Sequence, residues 1–138
     1  MRDSQACLRI FDANYNRAKE ALRVCEDIAR FFWDDTKLTG AFKGLRHRLT
    51  KILLSYPVSY RKLLEARDSV SDVGRGRILR DRSNTKIRDV FAANLQRAEE
   101  AVRVMEEISK IVSPGSAGQF ERARFKLYEL EKKSFRKF

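Results

Sequence analysis

The chain has 138 residues, of which 43% are hydrophobic and 36% are charged, and its formal net charge is +11 at pH 7. This length suits one domain with its own core, and the apolar content is too high for a disordered chain. No apolar run approaches the roughly 20 residues that span a bilayer, and no signal peptide is visible, so we expect a soluble, cytoplasmic protein without a membrane partner. The positive charge predicts anionic partners, either a small phosphorylated molecule or nucleic acid.

The first half of the chain has the apolar periodicity of two long helices. One is predicted over about residues 7–33, with its last residues, Phe31, Phe32 and Trp33, in the core. The other is predicted over about residues 38–55, with Thr36 as its N-cap. No window alternates with period two, so no strand is expected.

A linker of about residues 56–85 separates the halves. Its first part, about residues 58–67, predicts a short helix, and its second part reads as a long loop rich in glycine, serine and charge. A third long helix is predicted over about residues 86–112. A fourth follows Ser116, its predicted cap, and continues to the C-terminus.

A stretch of the first helix recurs in the second half. FDANYNRAKEALRVCEDI begins at Phe11 and returns as FAANLQRAEEAVRVMEEI from Phe91; FKGLRHRL from Phe42 returns more weakly as FERARFKL from Phe120. Two copies at a fixed offset predict an all-α helical bundle of two αα-hairpins, related by a pseudo-twofold axis and joined by the long linker. We therefore predict a single helical domain over residues 1–138, with repeat A at about 7–55 and repeat B at about 86–138.

Polar residues recur with the repeat. A helical wheel places Asn14 and Arg17 in the apolar stripe of the first helix, which includes Ile10, and Glu20 beside it. An unpaired buried charge is costly, so such groups need ionic partners or a bound anion. One alternative is a buried network in which Arg17 pairs with Glu20, and the second copy does the same. The other is a phosphate site between the repeats, formed by Asn14, Arg17, Glu20, Arg46, Asn94, Arg97, Glu100 and Arg124.

Two further patterns, a recurring arginine and the pair of cysteines, predict structural features rather than parts of a site. Arg23 and Arg103 recur on the other side of the wheel, each three residues before a glutamate, and predict solvated ion pairs. Cys7 and Cys25 would lie about 27 Å apart in one helix, so they predict reduced thiols rather than a disulfide.

In the linker, two aspartates four residues apart, Asp68 and Asp72, precede Gly74. Oxygen ligands at this spacing suit Mg²⁺, which makes both residues predicted metal ligands; the other interpretation is that they cap loop backbone. The sequence leaves open whether the arginines that follow bind phosphate or form a solvated basic loop: Arg75, Arg77, Arg80 and Arg82.

Five segments carry a family resemblance: DANYNRAKEALRVCEDIAR, LRHRL, EARDSVSDVG, FAANLQRAEEAVRVMEEISK and FERARFKLYELEK. Together they resemble the small monofunctional hydroxymethylpyrimidine phosphate kinases, which stand alone or are fused to the N-terminus of thiamine phosphate synthase. The resemblance covers nearly the whole chain, apart from residues 75–85.

The resemblance implies a reaction and its partners. ATP, with Mg²⁺, would phosphorylate 4-amino-5-hydroxymethyl-2-methylpyrimidine phosphate to the diphosphate in thiamine biosynthesis. We expect Arg67, Asp68 and Asp72 to be the catalytic residues of such a phosphomethylpyrimidine kinase, and we expect functional or covalent association with thiamine phosphate synthase. The alternative is a non-catalytic basic helical module that binds RNA or a phosphorylated metabolite, with nucleic acid the less favoured partner.

Overall fold

The computed structural model describes residues 2–76 and 86–137. Within these ranges the chain forms five α-helices and no strand, so the predicted all-α fold is confirmed. None of these helices combines the length and apolarity that a membrane crossing requires. The helices are α1 (Arg2–Asp27), α2 (Thr36–Leu54), α3 (Tyr60–Ala66), α4 (Ile87–Val112) and α5 (Ala117–Ser134).

The start of α2 differs from the prediction by one residue. Asp35, not Thr36, is the N-cap: its Oδ1 accepts a hydrogen bond of 2.9 Å from the backbone N–H of Leu38. This hydrogen bond is the main reason that the pKa of Asp35 lies below its ordinary value. A carboxylate is a strong acceptor for the free N–H groups of a helix start, and Asp35 precedes the first helical residue directly.

The end of α1 also differs from the prediction. The helix continues into a π-helical turn, Ile28–Phe32, and this turn leaves Phe31 and Phe32 with 68% and 62% of their surface exposed. Their predicted place in the core is therefore wrong, because a π turn adds a residue and shifts the register of the apolar stripe. Trp33 keeps a partly buried position, with its ring 4.6 Å from that of Phe91.

In the second half α4 matches its predicted bounds to within one residue, whereas α5 differs from its prediction in the capping of its start and in where it ends. Ser116 precedes α5, but its side chain makes no capping hydrogen bond; its Oγ lies 2.8 Å from Oγ of Ser113. A short 3-10 turn, Pro114–Ser116, leads into the helix. α5 ends at Ser134 and is followed by another 3-10 turn, Phe135–Lys137, rather than running unbroken to the end.

Four buried phenylalanines join the two repeats. The ring centre of Phe11, in the first copy, lies 5.8 Å from that of Phe120 in the second. The ring centre of Phe91, in the second copy, lies 5.6 Å from that of Phe42 in the first. Each contact therefore joins the first helix of one repeat to the second helix of the other. A twofold axis would produce this exchange, although the axis itself stays a prediction.

α3 positions the loop that follows it. Leu63 and Ala66 are buried, and the helix packs against α1. The residues after Ala66 consequently run beside the N-terminal half of α1, where Ile10 is 41% exposed instead of lying in the predicted core.

Candidate functional site

A groove of about 700 Å³ lies between the N-terminal half of α1 and the loop after α3; we call it the α1 groove. Residues from both elements line it. The structure therefore brings the polar set of the first repeat next to the predicted catalytic residues of the linker. The predicted site residues that line it are Asn14, Arg17, Glu20, Arg67, Asp68 and Asp72.

A bidentate ion pair forms part of the groove wall. Nε of Arg67 donates to Oδ2 of Asp12 at 2.7 Å, and Nη2 donates to Oδ1 at 2.8 Å. The Asp12 side chain is only 3% exposed and also accepts a longer hydrogen bond from Asn16. The hydrogen bonds to Asp12 raise the pKa of Arg67 above its ordinary value and hold its charged guanidinium in one orientation.

Asp12 was not predicted as a site residue. A signal was present, since the equivalent position of the second copy is Ala92 and the surrounding residues are similar. The departure coincides with the ion pair to Arg67, which an alanine such as Ala92 cannot form.

Asn14 and Arg17 occupy the neighbouring turns of α1. Asn14 is buried as predicted, and its Nδ2 donates to the carbonyl of Ile10 at 2.8 Å. Arg17 is exposed, so its predicted inward placement is wrong; its long side chain reaches water with Nη1 3.5 Å from Oδ1 of Asn14. In the described part of the chain, no carboxylate lies within 4.0 Å of the Arg17 guanidinium, so the alternative pair with Glu20 does not form.

The two linker carboxylates hold the loop backbone. Oδ1 of Asp68 accepts from the N–H of Ser71 at 3.0 Å, and Oδ1 of Asp72 accepts from the N–H of Gly74 at 2.8 Å. Across residues 2–76 and 86–137, no group of three or more His, Cys, Asp or Glu side chains could hold a metal ion. These contacts match the loop-capping interpretation, and the predicted Mg²⁺ ligation by Asp68 and Asp72, like the role of ATP, stays a prediction.

The basic loop is described only at its start. Arg75 is exposed, and its N–H donates to the carbonyl of Asp72 at 3.1 Å. The other three arginines of the predicted loop lie outside the described residues: Arg77, Arg80 and Arg82.

The polar set of the second repeat does not join the α1 groove. Asn94 repeats the contact of Asn14, donating to the carbonyl of Val90 at 2.8 Å. Arg97 is exposed like Arg17, so its inward placement is wrong too, and Glu100 is also exposed. These three residues are absent from the lining of the groove, so the structure does not bring the two sets together as predicted.

The two remaining arginines have carboxylate partners within the fold. Arg46 donates from Nη2 to Glu26 at 3.2 and 3.3 Å, and Arg124 donates from Nε and Nη2 to Glu106 at 3.0 and 3.2 Å. The hydrogen bonds to Glu106 raise the pKa of Arg124 above its ordinary value. Each pair joins the two helices of one repeat, and neither arginine lines the α1 groove.

These contacts also correct the predicted solvated ion pairs. Arg23 and Arg103 do contact Glu26 and Glu106, at 3.3 and 3.5 Å, but the two carboxylates are only 4% and 5% exposed. Each buried carboxylate is thus shared by two arginines, one from its own helix and one from the next. This arrangement compensates the cost of burying the charge.

A carboxyl pair marks another difference between the repeats. Glu99 occupies the position that Lys19 holds in the first copy. Its Oε1 is buried and has no hydrogen-bond partner among the described residues. Burial, followed by the neighbouring carboxyl of Glu131, raises the pKa of Glu99 to about 8.

A family model and several curated relatives each match nearly the whole chain. The model of the ThiD2 family matches residues 9–133. Curated relatives named thiamine-phosphate synthase include those of Synechocystis sp. (37% identical over 127 residues), Rhodopirellula baltica (36% over 127) and Nostoc punctiforme (36% over 128). The matches cover 91%, 91% and 92% of this chain but 35%, 33% and 35% of the relatives, so the chain spans about a third of their length. No solved structure matches the chain.

The names of the relatives correct the predicted activity. Thiamine-phosphate synthase is a different enzyme of thiamine biosynthesis, so the prediction of a phosphomethylpyrimidine kinase is wrong. The predicted connection with thiamine biosynthesis agrees with the relatives. Because the family model spans nearly the whole sequence, the chain belongs to the ThiD2 family.

Proposed function

We propose that the chain binds a phosphorylated aminopyrimidine precursor of thiamine phosphate in the α1 groove and acts together with a thiamine-phosphate synthase. The name of the relatives supports the choice of pathway. Their length supports the association, since about two thirds of each relative lies outside the matched region. The chain would then supply one ligand-binding unit to thiamine-phosphate formation, either within a longer protein or as a separate partner.

The fixed guanidinium of Arg67 is the observation that carries the proposal. Two of its five N–H donors bind Asp12, and Tyr60 is a further hydrogen-bond partner, so the guanidinium keeps donors for a ligand. Arg17 lines the same groove and has no carboxylate partner in the described chain. A phosphate group accepts charge-assisted hydrogen bonds from two such arginines, and the buried ion pair orients one of them before the ligand arrives.

The groove also carries acceptors, which distinguishes it from a simple anion site. Among the described residues, Oδ1 of Asn14 accepts only one hydrogen bond, a long one of 3.5 Å from Nη1 of Arg17. Acceptors of this kind suit the exocyclic amino group of a pyrimidine. Both charge signs line the groove, and this mixture favours a ligand that has a phosphate as well as hydrogen-bond donors. The lining arginines are Arg9, Arg17 and Arg67, and the lining carboxylates are Asp12, Glu20, Asp68 and Asp72.

Calorimetric titration of the full chain tests this proposal. The ligand is 4-amino-5-hydroxymethyl-2-methylpyrimidine phosphate, and the matched ligand is the same pyrimidine without its phosphate. We expect the phosphate ester to bind at least about tenfold more tightly, because each charge-assisted hydrogen bond contributes more than a neutral one. Equal affinity for the two ligands would contradict the proposal.

Two arginine variants locate the site. Arg17→Gln should weaken binding of the phosphate ester by about tenfold or more, since it removes one guanidinium from the groove. Arg97→Gln changes the equivalent residue of the second repeat, which does not line the groove. A loss with Arg17→Gln alone supports the α1 groove, whereas equal losses with both variants would overturn it in favour of a site shared by the two repeats.

A further inference from the structure

A second groove, of about 360 Å³, lies between the C-terminal half of α2 and the start of α5; we call it the α2–α5 groove. Arg48 and Lys51 reach it from one face of α2, because residues three apart lie on the same side of a helix, and Ser55 reaches it from the position directly after α2. Gln119 and Arg122 reach it from α5 with the same spacing. None of its lining residues belongs to the α1 groove.

The charge of this groove has one sign. Three cationic side chains line it, and its lining includes no Asp or Glu. Over the ranges that the structure describes, none of the three has a carboxylate within 4.0 Å. Arg46, on the same helix, shows the contrast, since it donates to the buried carboxylate of Glu26.

The positions of the cations favour a common ligand. A Cβ placed on Gly118 would lie 3.6 Å from Nη1 of Arg122, so that guanidinium extends along α5 toward the start of the helix. Arg48 and Lys51 occupy the facing helix. Like charges gathered around one concavity repel each other and raise the local concentration of anions, so an anion in the groove relieves an unfavourable interaction.

We propose that the α2–α5 groove is a second anion site, which binds the phosphate or diphosphate group of a small molecule. Its volume falls in the range of small-molecule sites, about 300–1,000 Å³. Gln119 adds an uncharged N–H donor for phosphate oxygens, whereas the hydroxyl of Ser55 already donates to the carbonyl of Ile52 at 3.0 Å. The mixed α1 groove selects a ligand with donors, whereas this groove selects negative charge alone.

Titration with inorganic diphosphate tests the site. The double variant Arg48→Gln, Arg122→Gln should weaken diphosphate binding by about tenfold or more, because it removes two of the three cations. Arg61→Gln is the matched control; Arg61 is 88% exposed, pairs with Glu65 and lines neither groove. Unchanged diphosphate affinity in the double variant would overturn the proposal, as would an equal loss in the control.

A second readout does not depend on any variant. Backbone amide shifts of the isotope-labelled chain should respond to diphosphate mainly at residues 48–55 and 115–122. Shifts confined to other residues would contradict the site. Binding of a short RNA without any response to diphosphate would show a polyanion surface and would overturn the small-molecule proposal.

The proposal for the α1 groove and the proposal for the α2–α5 groove can be tested independently. The double variant should keep its affinity for the pyrimidine phosphate, and Arg17→Gln should keep its affinity for diphosphate. If both ligands lose affinity in the double variant, one shared site exists and the α2–α5 groove is not a second one. Removal of the repelling cations should also raise the melting temperature of the double variant in the absence of ligand.

Discussion

The ion pair of Asp12 and Arg67 gives an asymmetric prediction. Arg67→Ala should lower the free energy of unfolding by about 3 kcal/mol, because the Asp12 carboxylate, only 3% exposed, would lose its cationic partner. Asp12→Ala should cost only about 1 kcal/mol, because the Arg67 side chain is 37% exposed and can turn to water. The first helix of the second repeat already carries Ala92 at the equivalent position, so alanine suits the helix itself.

A double-mutant cycle measures this asymmetry. The double variant should be about as stable as Asp12→Ala alone, which gives an interaction energy of about 3 kcal/mol in magnitude. Urea unfolding followed by far-ultraviolet circular dichroism provides the four free energies. Equal costs for the two single variants, or costs that simply add, would refute the view that a buried carboxylate depends on Arg67.

Three other predictions concern buried titratable groups. Glu26→Gln should lower the free energy of unfolding by about 2–4 kcal/mol, measured in urea, because it leaves Arg46 without its carboxylate; a cost within experimental error would contradict this role. The pKa of Glu99 lies at about 8 in the fold and near 4.5 in the unfolded chain, so stability should fall as pH rises through this interval. Glu99→Gln should flatten that part of the pH profile, and an unchanged slope would assign the effect elsewhere. Burial raises the pKa of Cys25 to about 12, so a thiol reagent should label the partly exposed Cys7 and spare Cys25 until the chain unfolds.

Much of the fold could be predicted from apolar periodicity. The predicted long helices overlap α1, α2, α4 and α5, because each buries one continuous stripe against the others. The prediction failed where local geometry departs from the regular period. The π turn at the end of α1 carries Phe31 and Phe32 out of the core, and no spacing rule shows an added residue of this kind.

The candidate site was only partly predictable. The helical wheel correctly predicted that Asn14 is buried. The linker residues Arg67, Asp68 and Asp72 line one groove together with residues of α1. The remaining contacts depend on tertiary packing. In the sequence, Arg23 and Glu26 look like an ordinary solvated ion pair, but α2 packs over Glu26 and adds Arg46 as a second partner.

Sequence spacing could not predict the α2–α5 groove. Arg48 and Arg122 belong to different repeats and meet only because α2 packs on α5. Residues that break the repeat, such as Asp12 and Glu99, make contacts that their counterparts Ala92 and Lys19 cannot.

Amide shift mapping of the isotope-labelled chain with 4-amino-5-hydroxymethyl-2-methylpyrimidine phosphate tests the central claim most directly. We predict that the largest shifts fall on residues 9–20 and 67–72, which line the α1 groove. The pyrimidine without its phosphate should produce much smaller shifts at the same concentration. Shifts confined to residues outside the α1 groove, or no response at millimolar ligand, would contradict the proposal that this groove holds the phosphorylated precursor.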